Sequence, residues 1–109
     1  MRIGVLGSGV RWNGGRPPPY LLEAAGAAEV VGAGLRGGLF PYTPADAVLV
    51  EAAHLEAGLR LQAQRPDALF VDTFGEYALD ALRSATGLPV VGAAEAAIAA
   101  ATAHGSRFA

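Results

Sequence analysis

The residues able to do chemistry gather in one short stretch. Asp72-Thr73-Phe74-Gly75-Glu76-Tyr77 puts two carboxylates, a hydroxyl and a phenol side by side. Such groups can hold a small polar ligand or move a proton. They can also cap a helix, with Thr73 or Asp72 as the cap and Glu76 in the first turn. Both roles can coexist in one loop. Ser8 closes the first apolar run and falls beside that loop if the first and third runs are neighbouring strands. A nucleophilic serine needs a base, and both histidines are expected far from the strand ends: His54 lies mid-helix and His104 at a helix C-terminus. Ser8 is therefore read as a hydrogen-bond donor to a ligand or to its own turn. Glu95, after the fourth run, is either a first-turn partner of the helix dipole or a carboxylate facing a crevice.

Other chemistries lack their residues. The chain has no cysteine, which removes disulfides, Cys-ligated zinc and thiolate nucleophiles together. Its histidines and carboxylates show no metal-ligand spacing. Gly7-Ser8-Gly9 opens like a dinucleotide fingerprint, but the third glycine position is Trp12. Pro17, Pro18 and Pro19 forbid the phosphate-cradling helix. Arg36, after the second run, could face a 2′-phosphate; with no cradle beside it, an NADP-binding fragment is the weakest reading. No cofactor and no metal is expected.

The chain has 109 residues, enough for one domain of ordinary size. Hydrophobic residues make up 52% and charged residues 17%, so it can fill a core. Net charge is −2 and every positive charge is an arginine, with no basic stripe to bind nucleic acid or an anionic membrane. Leu88–Ala103 is low in polarity but mostly alanine and carries Glu95, a poor membrane span. Met1-Arg2 leads straight into a short apolar run, unlike a signal peptide. A cytoplasmic protein is expected.

Four apolar runs can position the loop: Ile3–Leu6, Val30–Leu35, Ala68–Val71 and Pro89–Val91. Each is continuous rather than alternating, as in strands buried on both faces. Helical segments alternate with them, which predicts a parallel α/β sheet. The clearest helix is 44–64, with Thr43 as cap, Pro44 in the first turn and Asp46 three residues after the cap. Val48, Ala52, Leu55 and Leu59 are expected on its buried face, with Glu56 and Arg60 paired on another. Shorter helices are expected at 20–25, 77–85 and 93–104, the last two closed by Gly87 and Gly105. Residues 1–105 form one domain by this reading, and 106–109 look like the start of a further strand.

Residues 72–83 (DTFGEYALDALR) and 88–96 (LPVVGAAEA) resemble the aspartate/glutamate/hydantoin racemase superfamily, most nearly its hydantoin-racemase-like branch. The first strand and turn (IGVLGSG) and the third strand with its approach (PDALFV) agree. The resemblance implies a three-layer α/β sandwich with a four-stranded parallel sheet in order 2-1-3-4. That is one half of a two-domain fold whose active site lies between the halves. It further implies a cofactor-independent isomerase in which two cysteines, one per half, exchange a proton with the substrate α-carbon from opposite faces. The first cysteine position is Thr73 here, with Asp72 as the nearby candidate base. Ser8, Phe74, Gly75, Glu76 and Glu95 would contact an amino acid, hydantoin or related carboxylate. The chain ends near Arg107-Phe108, where a second half would begin, so a homo-oligomer or a missing second half is the expected partner. Turnover by this chain alone is not expected. The alternative is a non-catalytic, small-carboxylate-binding or assembly half-domain.

Overall fold

The computed structural model describes residues 1–7, 10, 12, 16–37, 40–73 and 75–105. Its strands are β1 (Arg2–Gly7), β2 (Glu29–Gly34), β3 (Ala68–Val71) and β4 (Val90–Gly92). The main helices are α1 (Pro19–Ala25), α2 (Pro44–Leu61), α3 (Leu79–Thr86) and α4 (Ala93–His104). All strand pairs are parallel and the sheet order is β2-β1-β3-β4, as the sequence implied. Ile3 stands opposite both Val30 and Ala68, and Leu6 opposite Ala33 and Val71. The loops after β1 and β3 therefore leave the sheet side by side.

Reversing direction at β1 puts helices on both faces, because parallel crossovers are right-handed. On one face α2 and α3 cover Leu6, Ala33, Leu69, Val71 and Val90, and this is the core. On the other face the short α1 offers only Leu21, Ala24 and Ala25 over Ile3, Val5, Val30 and Phe70. The cover is thin: an apolar cavity of about 310 Å³ remains there. Among the described residues no helix is long and apolar enough to cross a membrane.

Helix α2 begins as its sequence dictates. Thr43 Oγ1 accepts the Asp46 N–H at 3.1 Å, and Asp46 Oδ2 accepts the Thr43 N–H at 3.2 Å. Removing the cap by Thr43→Ala is expected to lower stability by about 1 kcal/mol. A urea titration checks this, and an unchanged midpoint would count against the cap. Farther along, Glu56 and Arg60 form the expected pair, 2.8 Å on both sides of the carboxylate. Arg60 also donates to the Gly34 carbonyl at 2.9 Å, tying the helix to the end of β2. Gln62–Gln64 tightens into a 3-10 turn before Arg65 and Pro66 stop it.

The buried face of α2 differs from the one expected. Val48 and Leu59 are exposed, and Val50, His54, Ala57, Gly58 and Leu61 face the core. Spacing of i, i+4, i+7, i+8 and i+11 is as helical as the expected stripe. Close packing favours the small residues. A Cβ on Gly58 would lie 2.2 Å from Leu82 Cδ2, so that glycine lets α3 pack directly on α2. The choice of face carries His54 into the interior, with functional consequences.

Candidate functional site

The strand carboxyl ends bring the loop after β3 against the end of β1. The Asp72 N–H donates to the Leu6 carbonyl at 2.8 Å, extending the ladder one residue past β3. Thr73 follows, and its hydroxyl turns inward toward Gly7. A Cβ at Gly7 would sit 2.8 Å from the Asp72 carbonyl oxygen and 2.9 Å from Thr73 Oγ1. Only glycine permits that approach, so a second reason for the glycine after the first run lies in the hydroxyl it accommodates.

Behind Thr73 lies His54. Its Nε2 is 3.1 Å from Thr73 Oγ1, and its Nδ1 is 2.8 Å from the Val50 carbonyl oxygen. A carbonyl can only accept, so Nδ1 carries the proton and Nε2 is free to accept the Thr73 O–H. His54 is fully buried, with the Tyr77 ring 5.1 Å away at 38°. Burial pushes its pKa below the ordinary value, against smaller upward pulls from the Val50 hydrogen bond and the Glu51 charge. The imidazole is neutral at neutral pH, with Nε2 open to accept the Thr73 hydrogen bond. The expectation that both histidines lie far from the strand ends is thus corrected: mid-helix, on the inward face of α2, is where a side chain can reach under the β3 loop.

The loop does not cap a helix, which corrects the second expectation. The residue preceding α3 is Ala78, and no side chain caps that helix. Instead the Glu76 N–H turns back to the Thr73 carbonyl at 2.9 Å. Glu76 and Ala78 both take left-handed backbone, at φ 53° and 65°. Such conformations cost about 1–3 kcal/mol each in a non-glycine residue and persist where surrounding structure imposes them. At Glu76 the loop meets β4. There Glu76 lies over Gly92, whose added Cβ would be 2.0 Å from Glu76 Oε2. That oxygen is buried with no hydrogen-bond partner among the described residues. A buried acceptor left unpaired costs roughly 1–3 kcal/mol.

The remaining candidates divide. Asp72 Oδ2 receives a long hydrogen bond, 3.3 Å, from the Tyr20 hydroxyl, which brings α1 to the rim. Partial desolvation and then the Asp72 charge raise the Tyr20 pKa. Gly75 is exposed beside the Tyr77 ring. Glu95 does not join the loop: its Oε1 accepts the Gly92 N–H at 3.1 Å and Arg83 Nη2 at 2.8 Å, the dipole-partner role. Ser8 and Phe74 lie outside the described residues. For the dinucleotide reading, Trp12 packs on Gly32 of β2, and among the described residues the first helix begins at Pro19. Among the described residues no three His, Asp or Glu side chains gather to hold a metal.

A family model for Asp/Glu/hydantoin racemase matches residues 24–109. The chain belongs to that family. Its fold is similar to that of unliganded arylmalonate decarboxylase, with TM-score 0.62 and 23% identity over 84% of this chain and 41% of that one. A liganded double mutant of arylmalonate decarboxylase gives TM-score 0.64 and 23% identity over 94% of this chain and 46% of that one. The racemase-family chain thus spans less than half the length of these structural relatives. Among curated proteins none matches it significantly.

Proposed function

We propose that this chain is one half-site of a cofactor-independent, racemase-type isomerase for amino acids, hydantoins or related small carboxylates. The observation that carries the reading is the 3.1 Å contact between Thr73 and buried His54 at the strand carboxyl ends. By resemblance, Thr73 stands where the family places its first thiol. A hydroxyl alone is too weakly acidic to exchange protons with carbon, but a relay changes the arithmetic. As Thr73 Oγ1 takes the α-proton, its own proton passes to His54 Nε2, and the positive charge settles on the imidazole. Glu76 Oε2, which has no donor among the described residues, would accept an N–H of the substrate, from an amino group or a ureide ring. A second half, or a second copy of the chain, would supply the opposite face of the pocket.

One acid–base group reaches one face of the α-carbon. It can exchange a proton without inverting the centre. Incubation of an enantiopure 5-substituted hydantoin, L-aspartate or L-glutamate in deuterated water is therefore expected to deplete the α-proton signal above the uncatalysed rate, with configuration retained. Thr73→Ala and His54→Gln should each remove that excess. If none of the three compounds exchanges, the reading is wrong; if the chain alone inverts them as fast as it exchanges them, it is not a half-site.

A further inference from the structure

We propose that Thr73 is also an activated nucleophile that accepts acyl groups from esters with good leaving groups, using His54 as its general base. This activity differs from carbon-acid chemistry and does not depend on it.

Three observations support the assignment. The hydroxyl donates to an imidazole nitrogen at 3.1 Å, which is nucleophile–base geometry. The other ring nitrogen is locked onto the Val50 carbonyl at 2.8 Å, so the base is held in the one tautomer that can accept the hydroxyl proton. Thr73 itself is half-buried at the end of β3, whereas His54 is fully enclosed, so of the two groups only the threonine belongs to a residue that reaches the surface. Tyr77 closes the ring from the side.

The balance of the step is simple. Oγ1 of Thr73 attacks the ester carbonyl carbon and forms a new C–O bond as its proton moves to His54 Nε2. The bond from carbon to the leaving oxygen then breaks, and the imidazolium returns the proton to the leaving group or to water. Water hydrolyses the acyl-threonine by the reverse sequence and restores the hydroxyl. The character of the base selects the substrate class. A buried imidazole that resists protonation suits a hydroxyl whose proton departs only as the C–O bond forms. Aryl esters ask least of the pair, because a phenoxide leaves without first being protonated, whereas an amide nitrogen must be protonated as it departs.

The test uses 4-nitrophenyl acetate and the intact chain. One acetyl group per chain is expected, mapped by peptide mass spectrometry to Thr73. Its rate should exceed that of Thr73→Ala or His54→Gln by about a hundredfold, the usual scale of a positioned general base. Thr73→Ser should retain it. The rate should also be flat above neutral pH and fall as His54 becomes protonated, while adventitious acetylation of exposed groups keeps rising with pH. That profile of the unaltered chain decides the matter if His54→Gln does not fold. Acetyl found only elsewhere, or at Thr73 with neither His54 dependence nor the plateau, overturns the proposal. Neither result touches the deuterium-exchange assay, so the two readings stand or fall separately.

Discussion

Thr73→Cys is expected to give a thiol that ionises well below the value of about 8.5 of a free cysteine. The cause is His54, 3.1 Å from the Thr73 oxygen that the sulfur would replace. A neutral Nε2 beside a thiol invites the proton across, and the resulting thiolate and imidazolium stabilise each other as an ion pair. The helix dipole is a lesser source, because α3 begins only at Leu79, beyond the strained turn. Iodoacetamide labelling against pH measures the ionisation directly, since the chain has no other cysteine. Well below the thiol pKa, each unit of depression multiplies the thiolate fraction, and so the labelling rate, by about ten. Adding His54→Gln should return the curve toward that of a free thiol. An unshifted or raised curve in the single variant would mean that the two side chains touch without sharing a proton. The same variant should exchange α-protons faster than the parent, because a thiolate is a readier carbon base than a threonine hydroxyl that must first pass its proton to His54.

Much of this architecture is legible in the chain because its signals are local. Four continuous apolar runs mark strands covered on both faces, and Thr43, Pro44 and Asp46 fix the start of α2 without help from the rest of the fold. Bounds of β3 and α4 agree residue for residue. The chemistry is only half legible. Thr73 stands out because it lies in a polar loop after an apolar run. His54 does not, because its visibility depends on which side of α2 is buried. Large apolar residues such as Val48 and Leu59 advertise one face, yet the core takes the face built from Val50, His54, Ala57, Gly58 and Leu61. What decides is how closely the helix can approach the sheet and α3, and small residues govern that distance. A histidine with Ala and Gly three and four residues after it is the pattern that shows it. The Glu76 turn was unreadable for another reason. Left-handed backbone at Glu76 and Ala78 runs against local preference, and Glu76 meets Gly92, a residue distant in the sequence.

Stability should fall as the solution is acidified from neutrality, and His54 should contribute to the fall. In the unfolded chain this imidazole takes up its proton near the ordinary value of 6.5. In the native protein burial depresses that value, so a proton binds only at lower pH. Between the two values the unfolded chain holds a proton that the native chain refuses, and acid therefore favours unfolding. The contribution of His54 is fully present above pH 6.5 and is lost as pH falls toward the native value, then levels off below it. For one proton the slope cannot exceed about 1.4 kcal/mol per pH unit. That is a large share of the several kcal/mol by which a domain of this size is held. Urea midpoints followed by circular dichroism from pH 7.5 to 5.5 (a window above most carboxylate titrations) read it out. His54→Gln should flatten the profile. An unaltered slope in His54→Gln would place the titrating group elsewhere. It would also remove the neutral, buried imidazole on which the Thr73 hydroxyl depends.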